Sequence, residues 1–142
     1  MTQEEKQLLL VDLCARLLYS IKVHHYQGSN CILKFINLIT YAAYVEVYDC
    51  IAFKDFIQDG QRSIFEYKPY LRPMSSMTED ERKEFESLGW RIDELDGNTP
   101  WNHNSYNVFD GVDWLNAHYF DYRGLIDKGL ALEAPINMYK VK

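Results

Sequence analysis

Apolar residues recur every three or four positions over Leu9, Leu10, Leu13, Cys14 and Leu17, then give way to strict alternation from Tyr19 onwards. The first period predicts a helix with one apolar stripe, the second a strand with one buried face. Thr2 and Glu5 form a T-x-x-E capping box that opens the helix and lets it run to about Leu17. Cys14 lies in the stripe, with no basic residue in the preceding turn, and is expected to be a buried structural thiol. Tyr19, Ile21, Val23 and His25 then alternate with Ser20, Lys22, His24 and Tyr26 as a half-buried strand. Residues 27–30 are a turn, 31–39 and 44–52 two more strands, and Asp59 with Gly60 marks a turn before a short strand at 64–67. Four short strands at hairpin spacing make a small antiparallel meander or an SH3-like barrel, with the first helix as its cover.

Residues 67–78 read as a hinge. Pro69 and Pro73 each lack a backbone donor and push the preceding residue towards extended geometry. Thr78 and Glu81 form a second capping box, opening a helix over 78–88 with Gly89 as its stop. Its early acids suit the positive end of the helix dipole, and its charges read as a solvated face. Residues 91–109 are rich in turn formers and predict a long loop pinned by Trp90 and Trp101. Asp110 caps a helix over 112–120, a shorter helical turn spans 121–128, and residues 130–134 form a terminal strand stopped at Pro135. The expected fold is α+β in a single domain over 1–142, with helix and meander in 1–68 and hinge, short helices and terminal strand in 69–142.

Composition narrows this picture. At 47% apolar the chain can fill one core, and at net charge −6 it lacks the basic face of a duplex nucleic-acid binder. The start of the chain is acidic and capped, so no signal peptide is expected, and no apolar run reaches the length of a membrane span. Three widely spaced cysteines (Cys14, Cys31 and Cys50) fit reduced thiols in a cytoplasm. Eleven tyrosines suit either a small β-core or a recognition surface.

No catalytic signature emerges. His24 and His25 are neighbours on a strand and point to opposite faces, so they cannot share a metal ion. His118 and Asp121 have the spacing of a ligand pair, but an imidazole hydrogen-bonded at a helix end is the commoner outcome. There is no nucleophile elbow, no Gly-rich phosphate loop and no motif for a cofactor. Two anion sites are conceivable. Tyr70, Arg72, Ser75, Ser76 and Thr78 gather a guanidinium and hydroxyls at a helix start, where turn and capping chemistry is the competing explanation. Tyr122 and Arg123 offer a fork donor beside an aromatic face, although packing of Arg123 against Asp121 or Asp127 would also account for it.

Two segments carry a resemblance. The run Tyr67-Lys68-Pro69-Tyr70-Leu71-Arg72-Pro73-Met74-Ser75-Ser76-Met77-Thr78-Glu79-Asp80-Glu81 and the run from Trp114 to Pro135, WLNAHYFDYRGLIDKGLALEAP, resemble a large set of small, uncharacterised proteins encoded by phages and prophages of gut Bacteroidales. The opening Leu13-Cys14-Ala15-Arg16-Leu17 with Tyr19 is similar too, but that family has a proline and a glycine where Leu18 and Ser20 stand. The resemblance implies a mobile-element origin and a host cytoplasm; it carries over no activity and no functional residues. In that setting the expected role is a non-catalytic accessory, anti-defence binding protein. Its partner would be a cyclic or linear nucleotide signal held as by a sponge, probed at a pocket across a homo-oligomer. The alternative is an inhibitor or adaptor binding a host defence protein with no small ligand, and a virion or replication accessory is a third. Duplex nucleic acid and membrane are not expected partners.

Overall fold

Thr2 accepts the Glu5 amide and Glu5 reaches back to the Thr2 amide, so the first helix opens on a complete capping box and runs over Gln3–Arg16 (α1). The computed structural model describes residues 1–49, 57–93, 95, 97, 99–102 and 108–139, with the backbone alone at 47–49 and 57–61. The buried stripe of α1 is Leu9, Asp12, Leu13 and Arg16, at the helical spacing of three and four. Cys14 is exposed, which corrects the expectation of a buried thiol. The stripe is turned because Asp12 and Arg16, four residues apart, bury themselves as an ion pair and take the face that apolarity alone would give to Cys14.

The strands are β1 (Lys22–His25), β2 (Asn30–Ile36), β3 (Ala42–Asp49), β4 (Ile57–Ser63), β5 (Tyr67–Leu71) and β8 (Leu132–Glu133), in the order β4-β3-β2-β1-β5-β8. The fold is α+β, with β1 to β4 an antiparallel meander and β8 joined parallel to β5. Among the described residues β4 and β8 are the sheet's two edges, so the sheet is open and the meander, not the barrel, is formed. Leu9 and Leu13 pack with Val23, Leu33, Val45, Ile64 and Leu71 in the core between α1 and the sheet.

Four strand expectations need correction. The first is at Tyr19 and Ser20, which end a 3-10 turn over Leu17–Tyr19; Ser20 takes a left-handed φ of 56°, so that β1 starts only at Lys22. Asp59 and Gly60 lie within β4, at the irregularity between Gln58 and Arg62 where its register with β3 shifts, so the expected turn is a bulge in a continuing strand. The run 64–67 is a 3-10 turn over Ile64–Glu66, capped by Ser63, before β5 begins. Leu38 to Thr40 is the turn between β2 and β3, not the end of a strand. Part of the expected third strand, with Cys50, lies outside the described residues.

The hinge is half strand. Pro69 sits in β5, between β1 and β8, opposite Val23. The Tyr26 amide donates to Glu66 C=O at 3.3 Å. By alternation His24/Lys68 and Lys22/Tyr70 are then the other hydrogen-bonding pairs, and Val23/Pro69 needs no N–H from the proline. At Lys22/Tyr70 the strands part and the Tyr139 hydroxyl bridges them. It accepts the Lys22 amide at 2.9 Å and donates to Tyr70 C=O at 2.8 Å, while its ring stacks on Tyr119. Tyr139→Phe therefore lowers stability by about 1–2 kcal/mol, because the hydrogen bonds from the Lys22 amide and to the Tyr70 carbonyl are both lost. Urea titration measures the loss, and hydrogen exchange places it at the Lys22 amide; unchanged exchange there would refute the splice.

A second core joins α2 (Glu79–Glu86), β6 (Trp90–Ile92) and α3 (Val108–Ala117) through Met74, Phe85, Trp90, Ile92, Trp114, Leu115 and Phe120. β6 pairs with β7 (Pro100–Asn102), so the expected loop at 91–109 holds a short hairpin; residues 94, 96, 98 and 103–107 lie outside the described set. α3 starts two residues before Asp110, which lies in its first turn instead of capping it. The helical turn expected over 121–128 is not formed: the Asp121 carboxylate takes the Leu125 and Ile126 amides, and residues 125–129 make a hydrogen-bonded turn ending on Gly129 at φ 73°.

Candidate functional site

The structure sorts the candidate residues into three places. Tyr70 projects from the side of β5 opposite the core, and its hydroxyl donates to Asn30 Oδ1 at 2.8 Å, with His24 Nδ1 at 2.8 Å from the same oxygen. His25, on the other face, is buried and holds Glu66 through Nε2 at 3.0 Å. Its Nδ1 accepts the Gln27 amide, so Nε2 carries the proton and donates. That hydrogen bond, ahead of one from the Ser63 amide, holds the Glu66 carboxyl below its ordinary value.

Arg72 leaves β5 between two partners. Its guanidinium lies 4.1 Å from the centre of the Phe120 ring and forks onto Glu81 at 2.8 and 2.7 Å. Glu81 also accepts the Thr78 amide at 3.0 Å, while Thr78 Oγ1 accepts the Glu81 amide. Ser76 donates its hydroxyl to Pro73 C=O at 2.7 Å. Arg72, Ser76 and Thr78 thus line one cavity of about 390 Å³, with each polar group already engaged in ion-pair, turn or capping chemistry.

Burial raises the Glu81 carboxyl, but the Arg72 fork and the Thr78 amide outweigh it and hold the group at about 2. A lowered folded-state value means the pair stabilises the fold above the ordinary 4.5 and is lost as pH falls from there towards 2. Glu81→Gln is accordingly less stable at neutral pH and shows a flatter acid-unfolding curve across that window. An unchanged curve would show that the pair does not contribute.

Ser75, Tyr122 and Arg123 line another cavity, of about 540 Å³, which meets the first at Pro73 and Glu133. The Tyr122 hydroxyl donates to Asn116 at 2.9 Å, and burial pushes its pKa up. Arg123 pairs with Asp12 of α1 at 2.7 Å, not with Asp121 or Asp127. Both oxygens of Asp121 are taken by the amides of Leu125 and Ile126. Arg72 and Arg123 therefore face different cavities, each with a carboxylate partner, and Tyr70 stands apart from both. His118 follows α3 and stacks on Trp114, donating Nδ1–H to the Trp114 carbonyl at 2.8 Å. It is the expected hydrogen-bonded imidazole at a helix end. Among the described residues no three His, Cys, Asp or Glu side chains converge as metal ligands, and no helix is long and apolar enough to cross a membrane.

One surface escaped the sequence reading. The end of β2 and the turn that follows it expose Phe35, Leu38, Ile39 and Tyr41, with Ile39 at 90%. Asn37 organises the turn: its side-chain oxygen accepts the Ile39 and Thr40 amides at 2.9 and 3.1 Å, and its carbonyl accepts the Tyr41 amide at 2.7 Å. Tyr41 takes a left-handed φ of 59° to close the turn and packs its ring against Phe65. The tip is an ordered backbone presenting aliphatic side chains outward. The only signal in the sequence was Asn37 ahead of Leu38 and Ile39, a weak turn former among strand formers. No family model, no curated protein and no solved structure matches this chain.

Proposed function

We propose that this protein is a non-catalytic, phage- or prophage-encoded binding protein that acts on a host defence protein through the β2–β3 turn. The single observation that carries the reading is that Phe35, Leu38, Ile39 and Tyr41 are exposed within seven residues of chain, at the end of β2 and on a turn whose Ile39, Thr40 and Tyr41 amides are already satisfied. Contiguous exposed apolar groups favour a partner, and a preordered backbone loses little entropy on docking. Seating one such side chain in a pocket contributes about 1.5–3 kcal/mol, enough for a hot spot. The phage setting is supported by the resemblance of residues 67–81 and 114–135. Engagement of Arg72 with Glu81 favours this reading over a phosphate sponge at the proline hinge.

The test is affinity capture from a gut Bacteroidales lysate with the wild-type chain, Ile39→Asp and the remote surface variant Lys68→Glu. Wild type and Lys68→Glu retain the same partner and Ile39→Asp loses it, with unchanged circular dichroism. A partner held equally by Ile39→Asp would sink the reading.

A further inference from the structure

We propose that the outer face of α1 is a homodimer interface, covered by α1 of a second copy of this chain lying antiparallel to it. From Leu8 onwards the helix is inside out. Its charged residues there, Asp12 and Arg16, have no exposure and pair with each other on the inner side. Every residue from Leu8 to Leu18 that reaches solvent is apolar, with Val11 at 45% and Leu18 at 92%. A surface helix ordinarily turns its charges outward, and one that is apolar all round is a buried helix. Gln7, Val11, Cys14 and Leu18 are exposed at steps of four, three and four, the narrow seam by which one helix packs along another.

The occupant that fits this face is the same face of another copy. Leu18 is a knob at one end of the seam. Near the other end, Gln3, Lys6, Gln7, Leu10, Tyr41 and Phe65 line a hollow of about 130 Å³, room for one aliphatic side chain. Gln7 and Leu18 are about 16 Å apart along the helix. A two-fold axis crossing the seam between Val11 and Cys14 carries each Leu18 to the other copy's hollow, so one operation fills both ends. Charge selects the antiparallel sense. A parallel pair would set the two acidic first turns, each with Glu4 and Glu5, side by side. The antiparallel pair separates them, opposes the helix dipoles, and brings Lys6, 5.4 Å from the centre of the Phe65 ring, towards a helix C-terminus. The seam has no lysine or arginine from Gln7 to Leu18, which disfavours a lipid surface. Two helices meeting over this length bury on the order of 1,000 Å² in total, the threshold for a specific interface, so the dimer is reversible and of micromolar affinity. The inference stands apart from docking at the β2–β3 turn, with which it shares only Tyr41.

Sedimentation velocity from one to several hundred micromolar protein tests this. The average mass rises with concentration from 16.8 kDa towards twice that value. Leu18→Glu changes a residue that is exposed in the single copy, so it folds. It weakens self-association by at least about a hundredfold, because the symmetry makes each substitution act at two contacts. Cys14 lies beside the axis and Cys31 is buried, so a short bismaleimide joins two wild-type copies and does not join Cys14→Ser. Ile39→Asp dimerises as wild type does, which separates this face from the turn. A monomer at every concentration, a dimer that survives Leu18→Glu or is lost in Ile39→Asp, or a wild-type dimer that the reagent does not join through Cys14 would each overturn the proposal.

Discussion

Asp12→Ala lowers the unfolding free energy by about 3–5 kcal/mol, the range for removing one partner of a buried ion pair. Asp12 has no solvent exposure and accepts three charge-assisted hydrogen bonds from two arginines. Without it, Arg16 stays buried with only the Phe120 carbonyl on Nη2, and Arg123 loses its carboxylate. Arg16→Met should be milder, because it leaves Asp12 with Arg123 and fills the space with an apolar chain of similar length. The double variant Asp12→Ala/Arg16→Met then recovers part of the loss, since no guanidinium remains stranded in the interior. Urea titrations of the four proteins give the coupling energy directly. If Asp12→Ala falls within about 1 kcal/mol of wild type, below the scale of a buried pair, the cluster is not the junction between α1 and the C-terminal segment that its geometry implies.

That junction also shows where sequence reasoning stops. The capping boxes of Thr2/Glu5 and Thr78/Glu81 were legible because both halves of each lie within three residues. The alternation of β1 was legible because half its face is buried. The orientation of α1 was not, because a search for apolar periodicity passes over Asp12 and Arg16 and chooses Cys14 in their place. Their spacing with Leu9 and Leu13 was in plain view; what was missing was Arg123, which is 111 residues from Asp12 in sequence. The same distance defeated the expected pairing of Arg123 with a nearby aspartate.

Residues 67–78 show a second limit. Two prolines argue against a strand, yet β5 forms because Pro69 falls at a pair that asks no N–H of it. Register decides that, and register is set by β1. Arg72, Ser76 and Thr78 line one cavity and Tyr70 and Ser75 do not, and the grouping did not reveal that Glu81 occupies the guanidinium. Donor-rich segments advertise anion sites and capping chemistry alike, and only the partners distinguish them. The β2–β3 turn was missed for the opposite reason. Leu38 and Ile39 are strand formers, and the chain bends because the Asn37 side chain accepts two successive amides and Tyr41 closes the turn at a left-handed φ.

Gly111→Ala destabilises the second core, although propensity alone predicts the reverse. In a helix interior alanine is favoured over glycine by about 1 kcal/mol. At this position a Cβ would lie 1.8 Å from Trp90 Nε1 and 2.3 Å from its Cδ1, an overlap that no small adjustment removes. Trp90 cannot yield cheaply: it is buried, and its ring stacks on Phe85, which in turn stacks on Trp114. Either α3 moves off β6 or the indole leaves the cluster, and expelling a large aromatic from a core costs about 3–5 kcal/mol. Net of the propensity gain, the loss is about 3 kcal/mol, or roughly 10 °C in thermal midpoint for a chain of this size. Trp90→Leu in the same chain should make the second substitution nearly neutral, because the smaller side chain vacates the space that Cβ needs. Thermal unfolding of the two single variants and the double variant decides it. A stabilised Gly111→Ala would mean that helix propensity governs here and that α3 does not seat on Trp90. A loss rescued by Trp90→Leu would fix the contact that closes the second core.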